Sequence, residues 1–259
     1  MDIGLKGKWA VVCGASKGLG YGCAQALAQE GVNLVINART QSTLESAAQE
    51  LAHANGVTVH AVAGDVTDPA VQTQLLSAAP QVDILINNAG GPPPGDFREF
   101  EREDWIKALE QNMLAPIELI KACIDPMIER QFGRIVNITS MSVKMPVESL
   151  ILSNGARAGL TGVVASLARD VAHHNVTINN LLPGKFDTDR LRGNAVKRAA
   201  AAQRTVEEEL KLAAATVPAR RLGVPSEFGH ACAFLCSAYA GYITGQNLLI
   251  DGGAFRGVM

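Results

Sequence analysis

The chain has 259 residues, enough to bury one large core, and its net charge of −2 supplies no broad basic field for nucleic acid or an anionic membrane surface. No apolar run approaches the roughly 20 residues a membrane helix needs, and the opening MDIGLKGK lacks the apolar core of a secretory signal, so a cytoplasmic protein is expected. Five cysteines without paired spacing argue against a disulfide framework, and Cys232 and Cys236 read as small buried residues rather than as a metal pair.

Short apolar runs alternate with amphipathic helical patterns. The first strand, Trp9–Cys13, leads into Gly14, Ser16, Lys17, Gly18, Leu19 and Gly20, then into a helix over Gly20–Glu30. A strand, a glycine turn and a helix in that order let backbone N–H groups and a helix N-terminus approach a pyrophosphate. The second strand, Asn33–Asn37, ends in Ala38-Arg39-Thr40, and a helix over Gln41–Ala54 follows. A carboxylate at that strand end would accept bonds from ribose hydroxyls and select NAD(H). Arg39 stands there instead with Lys17 in the glycine turn, which favours NADP(H) through its 2′-phosphate.

The third strand, Val57–Ala61, precedes Asp65-Val66, and a helix is expected over Asp68–Ala78. The fourth, Asp83–Ile86, runs into Asn87-Asn-Ala89-Gly90 and the rigid loop Gly91-Pro-Pro-Pro-Gly95. One long helix over Asp104–Cys123 carries Asn112. The fifth strand, Arg134–Thr139, ends at Ser140, and the next helix, Ser153–His173, carries Ser153 and Arg157 and closes on His173 and His174, whose charge would suit the helix dipole. The sixth strand, Thr177–Leu182, meets Pro183, Gly184 and Thr188, and Asn247–Ile250 is the seventh. Near-continuous apolar strands alternating with helices predict a single α/β domain, a Rossmann-like doubly wound parallel sheet of seven strands. Between strands six and seven, residues 185–217 break the alternation, with a helical pattern around Ala195–Ala215 that would form a lid over the ligand edge of the sheet. Its cations, among them Arg190, Arg192 and Arg198, would either recruit an anionic acyl thioester or, more simply, form a solvated mixed-charge face.

This order of motifs, closing on Tyr242-Ile-Thr-Gly-Gln-Asn-Leu-Leu-Ile-Asp-Gly-Gly253, resembles the short-chain dehydrogenase/reductase family over essentially the whole chain. The resemblance implies a cofactor site built from the glycine turn, Asp65 and Val66 at the adenine, Asn87, Ala89 and Gly90 at the fourth strand, Arg157 at the ribose, and Pro183, Gly184 and Thr188 at the carboxamide. It implies a catalytic set of Asn112, Ser140, Ser153 and Arg157, a small-molecule substrate, and a homotetramer or homodimer built through the two long helices and the last strand. Two of those four residues depart from the family pattern. The family places Tyr thirteen residues after its Ser and Lys four beyond that, where this chain has Ser153 and Arg157. An aliphatic hydroxyl is far less acidic than a phenol, and a Ser oxygen falls roughly 4 Å short of a Tyr oxygen. Three routes for the proton stay open: a water ordered by Ser153, Arg157 and Asn112; another side chain such as Lys144 or Glu148, both read first as solvated; or a substrate that needs no external acid, as in reduction of an iminium or activated alkene. The expected function is an NADP(H)-dependent oxidoreductase on a small carbonyl or alcohol. The alternatives are a dinucleotide-binding protein without turnover, or other chemistry on the same fold.

Overall fold

Apolar runs of this length fold as strands because both of their faces can be buried. In a computed structural model describing residues 2–258, β1 (Trp9–Val12), β2 (Asn33–Ala38), β3 (Val59–Ala63), β4 (Ile84–Asn87), β5 (Gly133–Ile138), β6 (Val176–Pro183) and β7 (Asn247–Ile250) form one parallel sheet. Its order is β3-β2-β1-β4-β5-β6-β7, which reverses direction between β1 and β4. Alternate residues feed two cores. Val12, Leu34, Ile36 and Ile86 pack with α1 (Gly18–Gln29), α2 (Gln41–Asn55) and α9 (Pro225–Cys236). Val11, Val35, Leu85, Ile135 and Ile178 pack with α3 (Pro69–Ser77), α5 (Ala115–Glu129) and α6 (Ile151–Val171).

The third strand lies two residues later than its apolar run suggests. It is the edge strand, its His60 and Ala61 are exposed, and pairing of Leu34 with Val59 and Ala38 with Ala63 sets its bounds. The long helix expected over 104–123 is three pieces: α4 (Arg102–Leu109), a π-helical turn over Glu110–Leu114 and α5. The lid is likewise two helices, α7 (Asp189–Ala202) and α8 (Val206–Ala215), because Gln203 takes a left-handed φ of 51° and Thr205 with Glu208 builds a new capping box. Helix α9 has no counterpart among the expected elements. Its approach to α1 depends on glycines: a Cβ on Gly22 would stand 2.8 Å from the Pro225 carbonyl carbon. His173 and His174 fall in a 3₁₀ turn beyond the end of α6.

Four asparagines hold the middle of the sheet. Asn87, Asn137, Asn180 and Asn247 stand in register across β4, β5, β6 and β7. Asn87 Nδ2 donates to Asn137 Oδ1 (2.9 Å), Asn137 Nδ2 to Asn180 Oδ1 (3.0 Å), and Asn180 Nδ2 to Asn247 Oδ1 (2.8 Å). Burying polar groups costs least when each finds a partner, and this ladder pairs the amides from strand to strand, leaving the Asn87 Oδ1 at its end without a protein donor.

One expectation from the apolar runs is corrected. Glu148–His174, which is α6 with its flanking turns, is long and apolar enough to cross a membrane by length and composition. Its leucines, isoleucine, valines and alanines supply the apolar average, and one face of the helix, with Leu152, Leu160, Val164 and Ala168, is buried in the fold. All five cysteines are buried, and burial pushes the Cys13 and Cys123 thiols up to about 12, so neither is a thiolate near neutral pH. No group of His, Cys, Asp and Glu among the described residues has the arrangement of a metal site.

Candidate active site

The carboxyl ends of the strands open into a cleft of about 1270 Å³, covered in part by α7 and α8. β1 turns into it through Gly14 and Gly18, both left-handed with φ of 61° and 63°. The turn leans on Asn88, whose Nδ2 donates to the Gly14 carbonyl (3.2 Å), and a Cβ on Gly14 would lie 2.6 Å from that nitrogen. Helix α1 begins at Gly18 with no side-chain cap from Lys17, which leaves its first-turn N–H groups without a side-chain acceptor. Gly14, Ser16, Lys17, Gly18, Leu19, Arg39, Asp65, Val66, Ala89, Gly90, Pro183, Gly184 and Thr188 all line the cleft. Gly20 lies just behind the turn, where a Cβ would collide with the Gly14 backbone. Asn87 is buried in the sheet ladder and does not line the cleft; its neighbour Asn88 does, and only the fold distinguishes two adjacent asparagines.

The opposite wall carries the residues expected to do chemistry. Ser140 follows β5, and its Oγ accepts a bond from the Ser142 N–H (3.1 Å). Ser153 enters from the first turn of α6, with Arg157 one turn along the same face. Arg157 Nε donates to Ser153 Oγ (3.2 Å), and its Nη1 donates to the Ile138 carbonyl at the end of β5 (2.7 Å). Asn112 sits inside the π-helical turn, where Nδ2 donates to the Ala108 carbonyl (3.3 Å) and the buried Oδ1 meets no protein donor. A π turn adds a residue per turn and is frequent where a helix must aim a side chain into a site. Here it packs on α6 at Gly159, the position a Cβ would deny to Met113. Asn112 itself lies behind the cleft wall, and neither Lys144 nor Glu148 lines the cleft.

Charge in the cleft is uneven. Asp189 pairs with Lys17 (3.0 Å), and Glu209 pairs with both Arg204 (3.0 Å) and Arg198 (3.5 Å), so these two lid cations share one carboxylate. Arg157 and Arg190 make no ion pair among the described residues. Burial, with Arg190 adding to it, pulls the Arg157 guanidinium down to about 10, so it stays cationic at neutral pH. Arg190, on the first turn of α7, reaches across the cleft, and its Nη2 donates to the Pro92 carbonyl (3.1 Å). In the sequence it is one lid cation among several, and nothing in its neighbourhood separates it from the solvated ones.

The sequence from 14 to 254 matches the family model described as enoyl-(acyl carrier protein) reductase. The chain is 35% identical to the 3-oxoacyl-(acyl-carrier-protein) reductase FabG of Vibrio cholerae, over 98% of this chain and 99% of that protein. It belongs to the short-chain dehydrogenase/reductase family. A second member of that family, the NADPH-dependent reductase BacG of Bacillus subtilis, is 33% identical over 96% of this chain and 98% of the relative. Among solved structures, L-sorbose reductase from Gluconobacter frateurii in complex with NADPH and L-sorbose superposes with a TM-score of 0.94 at 30% identity, covering 100% of both chains. The short-chain dehydrogenase/reductase fold thus spans the chain from the β1 turn to the segment after β7.

Proposed function

We propose that this protein is an NADP(H)-dependent oxidoreductase interconverting a small carbonyl and its alcohol, with proton delivery that does not use the family's tyrosine and lysine. One observation carries the reading. Ser140 Oγ accepts from Ser142 N–H and Ser153 Oγ accepts from Arg157 Nε, so both hydroxyls keep their own protons free to donate into the cleft. Two such donors on one wall would orient a carbonyl and stabilise negative charge developing on its oxygen. The cationic Arg157 makes Ser153 the better donor of the two.

The cradle fits a dinucleotide. Gly14, Gly18 and the uncapped start of α1 suit a pyrophosphate, Arg39 stands where a carboxylate would select NAD(H), and Thr188 closes on Gly18 from the other side, 3.6 Å from where its Cβ would be. When bound, NADP(H) supplies or accepts the hydride. The residues of the chain handle the oxygen and the proton: Ser140 and Ser153 would hold the oxygen, and the proton it takes up would be relayed from solvent through water ordered by Ser153, Arg157 and Asn112. Exposed Ile106, Leu109 and Leu114 beside α6, with Tyr239, Tyr242 and Leu248 near β7, support assembly as a homodimer or homotetramer.

The test is binding of NADPH and NADH by fluorescence, followed by oxidation against ketones, imines and enones. Tighter NADPH binding with turnover on any of them supports the proposal. Binding without turnover across the panel overturns it in favour of a dinucleotide-binding protein that transfers no hydride.

A further inference from the structure

The asparagine ladder has a direction. Each amide nitrogen points from β4 towards β7: Asn87 donates to Asn137, Asn137 to Asn180 and Asn180 to Asn247. A donor must face an acceptor, so this run of bonds fixes the orientation of every amide in it. Turning Asn87 over would set its oxygen against Asn137 Oδ1 and towards the Pro116 carbonyl, which lies 3.5 Å from its Nδ2. The row therefore ends at β4 on an acceptor. Asn87 is 3% exposed, and its Oδ1 is buried with no partner among the described residues. A buried acceptor without a donor is costly, and native folds leave few of them.

The neighbouring strand supplies no donor. Val12 pairs with Ile86, and Cys13, whose N–H donates to the Ile86 carbonyl, stands one residue further on, level with Asn87. Residues two apart on a strand share a face, so Cys13 follows Val11, and Asn87 follows Leu85, on the same side of the sheet. A thiol is a weak donor, and this one does not reach Asn87 Oδ1. Both residues line a cavity of about 10 Å³, bordered on another side by Gln111 from the π-helical turn. That volume is roughly the least that admits one water. Val66, Asn88, Ala89 and Gln111 border this cavity and the large cleft alike, so it lies directly behind the cleft wall.

We infer that this cavity binds one ordered water, which donates to Asn87 Oδ1 and closes the ladder at its β1 end. A buried water needs room and two or more polar partners, whereas an apolar cavity stays dry. Asn87 Oδ1 is one partner, and the Gln111 amide and the Cys13 thiol on the other walls offer further ones. Asn88 shares the cavity wall and donates to the Gly14 carbonyl, so the water stands between the sheet ladder and the turn of the cofactor cradle. It is a different molecule from the water ordered by Ser153, Arg157 and Asn112, none of which lines this cavity. It is bound whether or not the protein transfers a hydride, so the site stands apart from the oxidoreductase reading.

Crystal structures of the protein and of Cys13→Val, with urea denaturation of both, test the site. In the wild type one water should stand within about 3.2 Å of Asn87 Oδ1. Cys13→Val fills the cavity with an apolar group, expels the water and leaves Oδ1 unpaired, so the folding equilibrium constant should fall by about tenfold. Filling a dry cavity has the opposite sign, because it buries apolar surface at no polar cost. Cys13→Thr has the same shape with a hydroxyl that can donate to Oδ1, and it should recover most of the loss. A wild-type structure with no water at Asn87 Oδ1, a Cys13→Val protein as stable as the wild type, or a Cys13→Thr protein no more stable than Cys13→Val overturns the water site. If Cys13→Val does not fold, the wild-type structure decides alone.

Discussion

Arg157 Nε donates to Ser153 Oγ across 3.2 Å, one turn apart on α6. This pair replaces an acid with a polarised hydroxyl: the guanidinium holds the serine oxygen and leaves its proton for a ligand. Restoring the family pattern therefore gives a direct test. Ser153→Tyr combined with Arg157→Lys should raise kcat/KM for reduction of an uncharged ketone by about 10²-fold, the lower end of what a positioned general acid supplies. An unchanged rate in a folded double variant, read by NADPH consumption, would show that proton transfer does not limit turnover here.

Arg39 lines the cleft at the end of β2 with no carboxylate at that position. Arg39→Asp should weaken NADPH binding by about tenfold or more, through loss of a charge-assisted contact and repulsion of the 2′-phosphate, and should strengthen NADH binding. Paired fluorescence titrations decide it, and unchanged selectivity would move 2′-phosphate recognition away from Arg39.

Asn137 is the middle rung of the sheet ladder, fully buried, accepting from Asn87 and donating to Asn180. Asn137→Leu removes two bonds and orphans two buried amides, a loss of roughly 2–4 kcal/mol. Urea denaturation followed by circular dichroism measures it. A loss below about 0.5 kcal/mol, the size of an ordinary surface change, would mean that the ladder relaxes around the gap.

Glu227 is held by Arg221 through two short bonds, at 2.6 and 2.7 Å, and accepts from the Val224 N–H at the start of α9. The Arg221 bonds first, then the backbone bond, lower its pKa to about 2 from the ordinary 4.5. A depressed carboxylate pKa means that its stabilising contribution is complete above pH 4.5 and is lost as pH falls towards 2. The Glu227 carboxyl resonance should titrate near 2 in the native protein and move towards 4.5 in Arg221→Gln. A midpoint unmoved by the substitution would assign the shift to the backbone bond instead.

Much of this protein is legible in one dimension because its chemistry is local. The glycine turn after β1, the position of Arg39 and the alternation of strand and helix depend on neighbours in the chain, where φ preferences and apolar period act directly. Elements with weaker local signals were less legible: β3 takes its bounds from pairing with β2, the π turn at Asn112 interrupts an unbroken helical pattern, and α9 packs on α1 through Gly22 and Gly229. The departure from the family at Ser153 and Arg157 is visible in the sequence; what the pair does is not. Spacing places both on one helix face, one turn apart, but the bond from Arg157 to the Ile138 carbonyl at the end of β5 and the arrival of Arg190 from α7 beside the Pro92 carbonyl are contacts between segments remote in the chain. Local order follows from each residue's own torsional and solvation preferences, so the sequence by itself determined the fold class and the cofactor cradle. Whether a cation is solvated, paired with a carboxylate or bonded to a backbone carbonyl depends on which segments meet around it, and only the tertiary structure decided that.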